Sequence, residues 1–221
     1  MAEYRQVRFH PPPGSTTILL IRHGESAAFD EDNPFALVDG HGDPPLRDPD
    51  GLEHARRIGE RLAGEDIAAI YVTPLQRTHQ TAAPLAERLG LEPKVETELR
   101  EVNLGEWESG GLRKHTREGH PLVLQILAEQ RWDVIPGAEP TEAFDARVRQ
   151  GIERIAAAHP DQTVAAFVHG GVIGRALATA VGAERGLAFA AADNGSISEI
   201  VVVPDGPWVV RRYNDTAHLA G

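Results

Sequence analysis

Two histidines stand at equivalent places in the 221-residue sequence: His23 ends the apolar run "TTILLIRH", and His169 ends "TVAAFVH". Gly24 follows the first, and Gly170-Gly171 follow the second and open a helical pattern, "VIGRALATAVG". Glycines at such positions let a ligand approach the backbone, and the free amides of a helix start attract an anion. Arg22 precedes His23, and Arg77 falls in the first turn after another strand-like run, "IAAIYVT", so cations converge on one edge. The chemistry this prefigures is the binding and handling of a small anion.

The elements that must hold these residues alternate. "TTILLIRH" is apolar without interruption, as in a strand covered on both faces. Leu52, Ala55, Ile58 and Leu62 then recur at helical spacing, with Asp50 as the expected N-cap. "IAAIYVT" runs into Thr73-Pro74-Leu75-Gln76, which reads as a capping box with proline first in the helix. That helix continues through Ala82, Leu85 and Leu89 to Gly90, with Pro84 inside it, and "KVETELRE" reads as a more polar strand near a sheet edge. A helix returns from Thr141, and "SISEIVVVP" with "WVVRRYN" reads as a hairpin around Asp205-Gly206. Strands alternating with helices imply a layered α/β domain with a largely parallel sheet, where ligands bind beyond the carboxyl ends of the strands. Both histidines belong at those ends.

Composition narrows the partners. Lys plus Arg number 22 against 33 Asp plus Glu, a net charge of −11, which opposes nucleic acid and anionic membrane as partners and leaves room for a small anion. Without cysteine there is no disulfide and no thiolate catalysis, and no segment approaches the roughly 18 apolar residues of a membrane span. A cytoplasmic location is expected; no heptad pattern speaks to oligomeric state. The length favours one domain over residues 16–221 behind an irregular lead, residues 1–15, marked by Pro11-Pro12-Pro13-Gly14. Residues 105–140, rich in Gly, Pro and charge, are expected to be a substrate-facing insertion.

Four motifs in order, "LIRHGES", "TPLQRTHQTA", "LREVNLGEWES" and "VHGGVI", resemble the histidine phosphatase superfamily, the phosphoglycerate mutase-like proteins. "GDPPLRDPDGLEHA" and "NGSISEI" are similar to further parts of the family pattern. The resemblance implies a three-layer α/β/α sandwich. It further implies that His23 attacks a phosphomonoester to form a phosphohistidine, which water then hydrolyses. Arg22, Arg77, a protonated His169 and Gly170 would hold the phosphoryl oxygens. Glu101 would protonate the leaving alkoxide, pushed toward its acid form by the dianion beside it; Glu98, Glu106 and Glu108 are the competing neighbours. No cofactor or metal enters this scheme, and His115 and His120 have no ligand-like spacing.

Mutases of this family follow the RHGES motif with tryptophan and asparagine positions that here are Ala28 and Phe29, and carry a basic insertion that is hard to find in this sequence, where Lys114, Arg117 and Arg131 are scattered. The expected activity is therefore a phosphatase acting on a small-molecule phosphate ester. A cofactor-dependent mutase is the alternative, and a catalytically silent phosphate-binding module is a third possibility. The opening of the site is expected to be lined from residues 27–45 and 105–140, with Phe29, Phe35, Trp107 and Trp132 among the acids.

Overall fold

In the computed structural model, which describes residues 4–220, strand β1 (Thr16–Arg22) shows why its sequence is apolar throughout. Ile18 and Leu20 point into one core cluster, and Leu19 and Ile21 into another on the opposite face. A short hairpin, β2 (Leu37–Val38) and β3 (His41–Gly42), follows. Helix α1 (Asp50–Leu62), strand β4 (Ile67–Val72), helix α2 (Gln76–Leu89) and strand β5 (Lys94–Val95) come next. Two small helices, α3 (Gly111–Glu118) and α4 (Pro121–Glu129), lead to the long α5 (Thr141–Ala158). Strand β6 (Thr163–Val168), helix α6 (Gly170–Val181) and the hairpin β7 (Ile197–Val202) and β8 (Val209–Asp215) complete the chain.

The main sheet has six strands in the order β5-β4-β6-β1-β7-β8. The β5-β4, β4-β6 and β6-β1 pairs are parallel, whereas β7 runs antiparallel to both β1 and β8. On one face lie the apolar sides of α5 (Phe144, Val148, Ile152, Ile155) and α6 (Val172, Ile173, Ala176, Leu177). Ile58 and Leu62 of α1 with Ala82 and Leu85 of α2 cover the other. This is the expected three-layer sandwich. Trp107, Ile126 and Ile135 form a third, smaller cluster within the segment that leads from β5 to α5. Among the described residues no helix is long and apolar enough to cross a membrane.

The structure corrects several local expectations. Helix α1 starts at Asp50 with Pro49 at the N-cap, so Asp50 sits in the first turn, where its charge favours the helix dipole. Leu52 is 46% exposed, outside the buried stripe. Helix α2 starts only at Gln76 with Leu75 at the N-cap and no side-chain cap, so Thr73 and Pro74 precede it. "KVETELRE" pairs over two residues at the sheet edge and then turns into a 3-10 helix, Thr97–Leu99, capped by the Glu96 side chain. Residues 1–3 of the expected lead and residue 221 lie outside the described residues.

Candidate active site

Register places the two histidines side by side. Arg22 pairs with Val168 where β1 and β6 end, and the His23 amide donates to the Val168 carbonyl at 3.1 Å. His23 and His169 therefore leave neighbouring parallel strands together, their rings in edge contact with centroids 5.3 Å apart. They stand at the carboxyl edge of the sheet, beside a cleft of about 440 Å³. Arg22, His23, Arg77 and Glu101 line that cleft, while His169 is wholly buried behind them.

The tautomer of His23 follows from its contacts. Nδ1 lies 2.7 Å from the Gly24 carbonyl oxygen, which can only accept, so Nδ1 carries the proton and Nε2 keeps its lone pair. Burial pushes the pKa of His23 well below the ordinary histidine value, and Arg77 and Arg22 push it the same way. The ring is neutral at pH 7, as a nucleophile must be. Asn194 braces this turn by donating to the carbonyls of His23 and Gly24 at 3.0 and 3.3 Å.

His169 lies deeper, with no exposed surface. Burial, then Arg77 and His23, hold its pKa well below the usual range, so in the free site it is neutral rather than protonated. Its Nε2 shares a hydrogen bond of 3.0 Å with Thr73 Oγ1, while Nδ1 has no partner in the protein. Thr73, displaced from the helix cap, thus ties the end of β4 to the end of β6.

The arginines are held by backbone carbonyls. Arg22 donates to the Ala192 carbonyl, and Gly170 lets the neighbouring backbone close in: a Cβ there would lie 2.8 Å from the Ala190 carbonyl oxygen. Arg77 donates to the Gly42 carbonyl at 3.0 Å and stands 3.8 Å from Asp43. Burial brings its pKa down to about 10, still charged at pH 7. Asp43 also accepts from the Gln76 amide at 2.8 Å, so one carboxylate offsets both the arginine in the first turn and the open helix start.

Among the acids, Glu101 and Glu108 line the cleft, and Glu106 is exposed outside it. Glu108 has both oxygens engaged by the amides of Leu104 and Gly42, which makes it a loop clamp. Glu101 accepts from Val102 at 3.0 Å and from the Gly171 amide, in the first turn of α6, at 3.2 Å. It stands in the cleft with the two arginines and His23.

Two residues escaped the sequence reading. Arg113 of α3 lines the cleft, donating to the Ala27 carbonyl and Ser26 Oγ at 2.6 and 2.7 Å and lying over the Phe35 ring. It sits next to Lys114, and nothing in the spacing separated the two. Arg147 of α5 is buried; it binds Glu139 through two nitrogens and donates to the carbonyls of Glu98, Arg100 and Glu101. It fixes the main chain that carries Glu101. Phe35 and Trp107 line the cleft as expected, whereas Phe29 and Trp132 do not. His115 lies tilted against the Trp107 ring and His120 meets it edge-on, and among the described residues no group of three or more His, Asp or Glu side chains is placed to hold a metal ion.

Comparison with known proteins places the chain in a family. The profile of the histidine phosphatase superfamily (branch 1) matches residues 18–216. Phosphoglycerate mutase-like protein 4 of Arabidopsis thaliana is 30% identical over 91% of this chain and 86% of its own length. Phosphoserine phosphatase 1 of Hydrogenobacter thermophilus is 29% identical over 91% and 93%. A mycobacterial glucosyl-3-phosphoglycerate phosphatase, solved in complex with VO3, superimposes with a TM-score of 0.75 at 25% identity, covering 90% of this chain and 99% of that one. The chain belongs to the histidine phosphatase superfamily, branch 1.

Proposed function

We propose that this chain hydrolyses small phosphomonoesters through a phosphohistidine on His23. The observation that carries the reading is the fixed tautomer: Nδ1 is spent on Gly24, leaving the Nε2 lone pair of a neutral ring in a cleft with Arg22, Arg77 and Glu101. Nε2 attacks phosphorus in line, and the P–O bond to the alcohol breaks as the P–N bond forms. Charge spread over the equatorial oxygens is stabilised by the guanidinium groups and by His169, protonated by the substrate's own field. Protonated Glu101 gives its proton to the departing alkoxide. Water then attacks the phosphohistidine, Glu101 takes the proton back, and phosphate and His23 are restored.

Hydrolysis is favoured over transfer between two phosphates by charge. Three arginines line the cleft, Arg22, Arg77 and Arg113, and so do three glutamates, Glu25, Glu101 and Glu108. That balance suits one phosphoryl group better than a bisphosphate. The relatives' names include both phosphatases and mutases, so the assay must separate them.

Purified protein is expected to turn over p-nitrophenyl phosphate in the presence of EDTA and to accumulate an acid-labile phosphoprotein when quenched. His23→Ala should lose both. Rapid conversion of 3-phosphoglycerate to its 2-isomer, primed by a trace of 2,3-bisphosphoglycerate, would overturn the hydrolase reading in favour of a mutase. Absence of both turnover and phosphoprotein would leave a phosphate-binding module.

A further inference from the structure

His41, in the second strand of the hairpin Leu37–Gly42, lines the cleft but has no place in the chemistry above. It is only 5% exposed. Its Nδ1 lies 3.0 Å from the Asp39 carbonyl oxygen and must donate to it, so Nε2 is the acceptor of the neutral ring. That Nε2 is buried and has no hydrogen-bond partner in the protein. A buried acceptor left unpaired opposes folding, so its retention at the wall of a cleft calls for a partner.

The backbone around His41 is fixed at several points. The next residue, Gly42, accepts from Arg77 at 3.0 Å and donates to Glu108 at 2.7 Å, and the Gly40 carbonyl accepts from Asn103 at 2.8 Å. The residue beside His41 is thus bonded directly to an arginine assigned to the phosphate. His41 lines the same cleft as Arg22, His23 and Arg77. The surrounding wall, Phe35, Pro44, Leu104 and Trp107, offers that portion apolar contact.

Building on the phosphatase reading, we propose that His41 is a specificity-determining residue whose Nε2 accepts a hydrogen bond from the alcohol portion of the substrate. The preferred ester then carries a donor, a hydroxyl or an ammonium, close to its phosphate. An ester with neither leaves Nε2 unpaired, which is how a site built for a polar group rejects the analogue lacking it.

Matched esters test this. kcat/KM is measured for glycerol 3-phosphate against propyl phosphate, and for phosphoethanolamine against ethyl phosphate, so that each pair differs chiefly in the donor. The wild-type protein should favour one or both donor-bearing esters by about 10- to 100-fold. The pair showing the larger ratio identifies hydroxyl or ammonium. In His41→Phe the ratio should collapse toward one, and in His41→Gln, whose amide carbonyl is again an acceptor, part of it should return. A thermal melt on each variant verifies folding. A wild-type ratio near one for both pairs, or a ratio that survives in a folded His41→Phe, overturns the proposal. No hydrolysis of any ester by the wild-type protein would instead sink the phosphatase reading.

Discussion

Gly171 offers a way to move the proposed general acid without touching it. A Cβ at this position would lie 2.5 Å from Glu101 Oε1, 3.4 Å from its carboxyl carbon and 3.5 Å from Phe144 Cζ. Ordinary carbon–oxygen contacts lie near 3.3–3.6 Å, so in Gly171→Ala the carboxylate must retreat by roughly 0.8 Å or more. That retreat strains its bonds from the Val102 and Gly171 amides. A misplacement of about 1 Å costs on the order of 10²-fold in rate, within the 10²–10⁴ typical of a general acid. Fold stability should change little, because the clash falls on the mobile end of a side chain and alanine is the better helix former by up to about 1 kcal/mol. The melting temperature should then stay within about 4 °C of wild type. The assay is kcat/KM over a series of aryl and alkyl phosphates graded by leaving-group pKa. Esters of poor leaving groups should slow by about 10²-fold and p-nitrophenyl phosphate far less, since a good leaving group needs no proton. A folded Gly171→Ala protein with the wild-type slope would refute the assignment of Glu101. An equal loss for every ester would refute it as well.

Arg147→Met removes the clamp on the Glu101 main chain and strands Glu139; breaking a buried ion pair costs about 3–5 kcal/mol, or roughly 6–20 °C in melting temperature for a domain of this size. The double variant with Glu139→Gln should recover part of that loss, and an unchanged melt for the single variant would show the clamp to be idle. His23 and His169 both have folded pKa values below their unfolded ones, so the unfolded chain binds these protons first. Their contribution to stability is full above about pH 6.5 and falls as the pH drops below it, toward the folded values. Nitrogen NMR should find His23 as the neutral Nδ1–H tautomer at pH 6; a charged ring there would contradict the geometry.

What the sequence made legible was what periodicity and strand ends encode. The uninterrupted apolar runs predicted strands covered on both faces, and their ends predicted where Arg22, His23 and His169 would meet. Legibility failed where tertiary contacts overrode local preference. Thr73 has the chemistry of a cap, but the fold uses its hydroxyl to meet His169, and Asp43 from a distant loop serves the helix start instead. "KVETELRE" has strand propensity, but as an edge segment it pairs for only two residues before Glu96 caps a turn. Arg113 and Arg147 were invisible because their significance lies in partners 86 to 87 and 8 to 49 residues away, a distance over which spacing carries no signal. The neutral state of the His169 ring in the free site was not legible either, because wholesale burial beside Arg77 sets it.

The parallel pairing that sets His23 beside His169 has a consequence for how the enzyme comes into being. Thr17 pairs with Thr163 and Arg22 with Val168, so the two histidines belong to segments that no local turn connects. Closing such a non-local parallel pair is among the slower events in folding, and a slip of one residue would displace one ring against the other by about 3.3 Å. No fragment holding only one of these strands contains both histidines. During biosynthesis the chain therefore cannot set His23 beside His169 until β6 has been made and has found β1.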